Sequence, residues 1–333
     1  MRRHMTLLAS AAAAVLALSA ALVPSAASAA SASPTLGLTF PCGYRSAPPA
    51  TYRHVIWIWM ENTSVDDLIG NPAAPGFNYV ARSCGEAANY YALTHPSFRN
   101  YIAATSGVPW QGAPASCDPT DPECADLPFP SIYGQLESAG LQWREYVQSM
   151  PSNCDMTDSA PLYLAHHNPV TYYADAASEC ADWNVPLGTP MSGPLHNDLI
   201  RGTLPAFSFI IPDTAHDYNA EDGTADIAAS DQWLTSWLTS IFLSRDYLSG
   251  QTAIFITFDE GNGSEVSEDC AVTLTEDCHI PTLVISPSTR PGTVSNTYFD
   301  HYSLLLTTEQ LLGLPDLANQ TGPVTSMAPA FNL

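Results

Sequence analysis

The sequence predicts an α/β protein, a three-layer sandwich built on a mostly parallel central sheet. Two observations carry that expectation. The segments HVIWIWMEN (54–62) and IFITFDEGNG (254–263) are continuous apolar runs closed by Asn or Gly, as expected of strands buried on both faces of a parallel sheet. Such runs alternate along the chain with helical patterns, which puts helices against the sheet.

In chain order, residues 1–29 read as a secretory signal: Arg2 and Arg3, an apolar stretch from Leu7 to Val23, then Ala27-Ser28-Ala29. The chain is therefore expected to be secreted and extracellular. Residues 30–53 form a short lead, and 54–333 are expected to make one domain. Core strands are expected over 54–61, 206–212, 252–259 and 280–286. A helix over 230–244 follows from Trp233, Leu234, Trp237, Leu238, Ile241 and Phe242 at one-face spacing, with Ser230 or Asp231 as its cap. A second helix over 302–312 is stopped by Gly313 and Pro315.

The region 109–205 is rich in Pro, Cys, Asp and aromatic residues, and its periodic segments are too short for an independent core. It is expected to be an insertion over the sheet edge, of the kind that shapes a pocket.

Acidic residues outnumber basic ones 33 to 10, lysine is absent, and the formal net charge is −23. Such a surface repels nucleic acid, so no nucleic-acid partner is expected. No long apolar segment follows the leader, which argues against stable membrane insertion. The eight cysteines of an exported chain are expected to pair. Sequence leaves the pairing open; Cys117 with Cys124 and Cys270 with Cys278 close short loops, and Cys42 with Cys84 and Cys154 with Cys180 complete a nearest-neighbour set.

Glu61 with Asn62, and Asp259 with Glu260, end two core strands at the rim where open α/β sheets bind ligands. Four oxygen donors crowded there suggest a divalent cation, because unpaired carboxylates would repel or take up protons. Thr94 follows an aromatic stretch, and a helix starting near Ser97 points N–H groups toward an anion beside it. A hydroxyl becomes a competent nucleophile once a metal or base lowers its effective pKa. Asp213, His216, Asp217 and Asn219 follow the strand 206–212, and Asp300-His301 opens the last helix. Carboxylates, hydroxyl, Asp/His cluster and late histidine form a convergent set.

The segments Met60-Glu61-Asn62-Thr63-Ser64, Thr94-His95-Pro96-Ser97 with Asn100-Tyr101, Pro212-Asp213 with His216-Asp217, Phe258-Asp259-Glu260 and His301-Tyr302-Ser303-Leu304-Leu305 resemble those of a bacterial phosphoesterase family. That family includes acid phosphatases and phospholipases C, within the alkaline-phosphatase superfamily. The resemblance implies a metal-dependent hydrolase of phosphoric esters, acting on a small phosphate ester or a phospholipid headgroup. It implies Glu61, Asn62, Thr94, Asp259 and Glu260 as metal ligands, Thr94 as nucleophile, and His216 and His301 as catalytic and phosphate-binding residues. His95 and Asn100 are placed beside the phosphate. One cation is expected, Zn, Ca, Mg or Mn, with Asp213, His216 and His301 as the nest for a second. The chain departs from the family pattern at Thr63-Ser64-Val65 and at Arg99, and Glu260 stands where superfamily sites carry a histidine. A sulfatase is the nearest rival, but no Cys-x-Pro-x-Arg segment is present. A non-catalytic binding protein on the same fold would have little reason to keep every buried charge.

Overall fold

The computed structural model describes residues 41–114, 116–219, 225–263, 269–317 and 322–333. The expected signal and the lead up to residue 40 lie outside the described residues. The described residues form ten strands: β1 His54–Met60, β2 Gly85–Ala87, β3 Tyr90–Tyr91, β4 Trp143–Val147, β5 Asn184–Pro186, β6 Phe207–Ile211, β7 Thr252–Phe258, β8 Leu283–Ile285, β9 Thr293–Ser295 and β10 Phe299–Asp300. Eight of them form one sheet in the order β5-β4-β6-β1-β7-β8-β2-β9, and β10 pairs with β3 separately.

β1 lies at the centre, parallel to β6 on one side and β7 on the other. All seven of its residues are buried, so both faces must be covered. Alternation along the strand shows what covers each. Trp57 and Trp59 point to one face, where Trp57 Nε1 donates to Thr308 Oγ1 at 2.9 Å and Trp59 packs on Tyr101 and His301. The helices Phe98–Ser106 and His301–Leu312 therefore lie there. Met60 and its register partner Phe258 point to the opposite face, where Phe258 meets Phe77 of the helix Pro75–Ser83. These are the three expected layers.

One strand departs from the parallel pattern, and the expected bounds and cap of the long helix are corrected. The strand within 280–286 is antiparallel to both neighbours, β7 and β2. A parallel return needs a crossover of a dozen or more residues, usually a helix, and the longest described helix between β7 and β8 is the four-residue Cys270–Thr273. The long helix spans Ile227–Phe242 and is capped by Asp226, whose carboxylate accepts from Ala229 N at 2.9 Å. Asp231 instead accepts from Gly76 N and Phe77 N, at 2.8 and 2.7 Å, and so serves the N-terminus of the helix Pro75–Ser83.

The insertion does more than lie over an edge. Its strand β4 adds to β6 and its strand β5 adds to β4, all parallel, so it extends the sheet itself. Trp143, Tyr172 and Tyr173 are buried within it, and a polar core of Glu145, Asn168 and Asn184 joins its strands to its loops. The four disulfides are Cys42–Cys84, Cys117–Cys124, Cys154–Cys180 and Cys270–Cys278, the nearest-neighbour set.

Candidate active site

Parallel pairing of β1 and β7 matches Met60 with Phe258, so Glu61 and Asp259 emerge side by side. Asp259 N donates to Met60 O at 2.9 Å and Thr63 N to Glu260 O at 3.1 Å, tying the two exits together. Asn62, held at a φ of 23°, donates its backbone N–H to Asp259 Oδ1 at 3.0 Å. The turn behind Glu260 is tight: a Cβ on Gly261 would lie 2.4 Å from Asp277 O, so only glycine fits there.

The helix Phe98–Ser106 closes the site from one face. Tyr101 donates to Glu61 Oε1 at 2.5 Å, and Ser97 Oγ reaches Glu61 Oε2 at 3.4 Å. Asn100 is fully used: its Oδ1 accepts from Leu93 N and Thr94 N at 3.0 and 3.3 Å, and its Nδ2 donates to Thr94 O and Glu260 Oε2 at 2.7 and 3.1 Å. Thr94 is wholly buried, and its hydroxyl donates to His95 O at 3.2 Å. His95 Nδ1 faces Glu260 Oε1 at 3.2 Å.

Burial holds the Glu61 carboxyl well above the usual carboxylate range, and the charge of Asp217 pushes it further. Burial likewise raises Asp259 well above that range, with Glu61 and then Glu260 adding to it. Three acids enclosed together cannot all ionise without a compensating cation. Two oxygens of the cluster, Asn62 Oδ1 and Asp259 Oδ2, are buried with no hydrogen-bond partner among the described residues. Buried oxygens of that kind are costly when unmet, and a hard cation would satisfy both. Glu61, Asn62 and Asp259 offer oxygens of the kind such an ion takes, while Thr94 Oγ1 is turned to His95 O and the Glu260 carboxylate to Asn100 and His95. His95 also lies near Cys270 and Cys278, but those sulfurs are joined in a disulfide and are not available as ligands.

The loop after β6 runs along the same rim, since Glu61 N donates to Asp217 O at 3.0 Å. Here Asp213 Oδ1 lies 2.6 Å from His216 Nδ1, and Asp213 Oδ2 accepts from Ser149 Oγ at 2.6 Å. The His216 side chain is 32 % exposed, against 3 % for Asp213.

This geometry corrects three expected roles. His301 is buried; its Nε2 donates to Asp259 O at 2.8 Å and its Nδ1 meets Tyr90 OH at 3.1 Å, so neither nitrogen is turned to a phosphate. Burial lowers its pKa to about 4. Asn100 has every donor and acceptor engaged by protein, which makes it a clamp on Thr94 and Glu260 rather than a phosphate ligand. Asp213 has Oδ1 directed at His216 and Ala215 N and Oδ2 at Ser149, an orienting arrangement rather than an open metal nest.

Two contacts of Glu61 were not expected. Tyr101 was visible as a neighbour of Asn100 but without a role. His167, from the insertion, brings Nε2 to 3.5 Å from Glu61 Oε1 and stacks on Tyr101. Burial, and then the adjacent His166, hold its pKa well below the usual histidine value. Nothing in the spacing of the sequence links a residue of the insertion to the end of β1.

The Phosphoesterase family profile matches residues 71–315. A phosphatidylinositol-3-phosphatase of Mycobacterium tuberculosis is 30 % identical over 293 residues, covering 87 % of this chain and 86 % of that protein. A probable acid phosphatase of Kluyveromyces lactis is 26 % identical, covering 82 % of this chain and 61 % of that protein. Among solved structures, a protein of the alkaline phosphatase superfamily from Vibrio parahaemolyticus superposes with a TM-score of 0.58 at 15 % identity, over 84 % of this chain and 73 % of the other.

Proposed function

The chain belongs to the Phosphoesterase family and is a hydrolase of phosphoric esters, and on that premise we propose that it is secreted, requires a divalent cation and acts through a covalent phosphothreonine at Thr94. Export is supported by the basic and apolar start of the chain and by four disulfides. Glu61, Asn62, Thr94, Asp259 and Glu260 would hold the ion. When bound, the cation lowers the proton affinity of the Thr94 hydroxyl and offsets charge on the phosphoryl oxygens.

The residues of the chain supply the rest. Asn100 fixes the Thr94 backbone from both sides, so the hydroxyl is aimed before substrate arrives. Having lost its proton to solvent, Thr94 Oγ1 attacks phosphorus, and the bond from phosphorus to the ester oxygen breaks. The leaving oxygen takes a proton from His216 Nε2 and departs as the alcohol. Neutral His216 then takes a proton from water, whose oxygen attacks phosphorus and restores Thr94. Two in-line displacements give retention at phosphorus. His95, held by Glu260, stands next to Thr94 and would meet the phosphoryl oxygens. His301 acts as a positioning residue, bracing Asp259 through its carbonyl.

The observation that carries this reading is the pair of unmet buried oxygens, Asn62 Oδ1 and Asp259 Oδ2, in the same enclosed cluster as the carboxyl of Glu61. Acid quenching during turnover of a small phosphate ester, followed by mass spectrometry, should find one phosphoryl group on the peptide holding Thr94. Thr94→Ser should retain the adduct and Thr94→Ala should lose both adduct and turnover. Near-parental turnover by Thr94→Ala would exclude Thr94 as the nucleophile.

A further inference from the structure

Register brings the insertion to the catalytic rim. β4 and β6 pair in parallel with Val147 opposite Ile211, so the residues leaving each strand meet. Gln148 N donates to Ile211 O at 2.9 Å. The Gln148 side chain then takes Asp213 N at 3.3 Å and places its Nε2 3.0 Å from His216 Nδ1. Ser149 follows, and its hydroxyl donates to Asp213 Oδ2 at 2.6 Å.

Asp213 Oδ1 is the nearer partner of His216 Nδ1, at 2.6 Å, and a carboxylate only accepts, so the proton on Nδ1 is assigned to that bond. Nε2 is then the nitrogen directed outward. Rotation of the Asp213 carboxylate would turn the ring with it. Two bonds oppose the rotation: a long one of 3.3 Å from Ala215 N to the same oxygen, and the short one from Ser149 to the other oxygen.

Ser149 is an exposed turn residue with a φ of 57°, a left-handed conformation that residues with a Cβ adopt uncommonly. Glycine would hold this turn at lower steric cost. Being exposed, Ser149 is not needed to fill a core. A side chain kept in a strained backbone position beside an active site points to use of that side chain, and this one donates its hydroxyl to Asp213.

We infer that Ser149 is a positioning residue for the leaving-group proton: its hydroxyl locks Asp213, which in turn aims His216 Nε2 at the departing oxygen. The inference rests on the role given to His216 above. In the first step the bond from Thr94 Oγ1 to phosphorus forms and the ester P–O bond breaks, its electron pair goes to the leaving oxygen, and the proton comes from Nε2 of an imidazolium that keeps its Nδ1 proton on Asp213. An alkoxide needs that proton; a nitrophenolate, whose charge is already delocalised, scarcely does.

The two leaving groups make the test. Both esters share the second step, so kcat/KM, which reports phosphorylation of Thr94, is compared between an alkyl phosphate and p-nitrophenyl phosphate. Ser149→Ala and Ser149→Gly should lower the alkyl-to-aryl ratio of kcat/KM about tenfold, part of the 10²–10⁴ that general acid catalysis contributes. Ser149→Gly should melt no lower than the parent, since it relieves the backbone, which separates the effect from misfolding. Ser149→Asn tolerates a left-handed φ and keeps a donor, and should restore most of the ratio. An unchanged ratio in Ser149→Ala and Ser149→Gly, or an equal loss on both esters, overturns the inference. His216→Asn, run alongside, identifies which claim fails. A drop in the ratio for His216→Asn without one for Ser149→Ala removes Ser149 alone; no drop for His216→Asn removes the general acid, and the inference with it.

Discussion

His167 Nε2 and Glu61 Oε1 lie 3.5 Å apart, although one residue belongs to the insertion and the other ends the central strand. Tyr101 donates to the same oxygen and stacks against the same imidazole. His167 and Tyr101 together fix which way the Glu61 carboxyl faces.

Groups that orient a metal ligand typically matter by 10–100-fold in metal affinity. His167→Ala should therefore weaken the divalent cation by roughly tenfold in competition with a chelator, with the fold retained. Tyr101→Phe should act in the same direction by removing the donated bond while keeping the ring. Parental affinity in both variants would show that Glu61 is oriented by other means.

Asn100→Ala removes one side chain and strands four partners at once, among them two backbone N–H groups. Each buried group left unmet costs about 1–3 kcal/mol, so destabilisation of at least about 2 kcal/mol is expected in a urea titration. Asn100→Asp keeps the acceptor for Leu93 N and Thr94 N but faces Glu260 with a like charge. It should lose turnover more than its stability loss explains. A stable Asn100→Ala would mean that the clamp is redundant.

Glu145 lies wholly inside the insertion, where Tyr133 OH and Asn184 Nδ2 donate to it. Burial still raises its pKa to about 8. A carboxyl whose pKa is raised on folding contributes stability fully below its unfolded value, about 4.3, and loses that contribution as pH climbs through 8. The contribution lost is on the order of 5 kcal/mol. The parent should melt higher at pH 5 than at pH 8, and Glu145→Gln should show a much smaller difference. An equal difference in parent and variant would place the titration elsewhere.

The formal charge of −23 should set how substrates approach. Repulsion from an anionic lipid surface is strongest when the Debye length is about 30 Å, at 0.01 M salt, and weakens as it falls to about 8 Å near 0.15 M. Hydrolysis of a phosphoinositide in anionic micelles should therefore rise over that range, while a small soluble ester is little affected. Faster lipid cleavage at the lowest salt would show that the face around the site does not share the overall charge.

Much of this protein was legible in the sequence because its informative patterns are local. β1 and β7 each announce themselves through seven consecutive buried residues, and Gly313 marks the end of the helix His301–Leu312 because only a left-handed residue, here at a φ of 70°, closes it cheaply. The neighbouring acidic strand ends were also readable, since strand ends of a parallel sheet converge on one rim. Local pattern misled where a side chain had a distant use: Asp231 looks like the cap of its own helix but caps Pro75–Ser83, and His301 looks free but is bonded to Asp259 and Tyr90.

Chain order alone thus determined the fold class, the central strands and the acidic rim, because each depends on the period of side chains along one segment. Only the tertiary structure decided that β8 runs backward, that the insertion adds two strands to the sheet, and that His167 and Ser149 reach Glu61 and Asp213. Those facts depend on register between strands far apart in sequence. Hydrogen bonds across a parallel pair set that register, and no single segment encodes it.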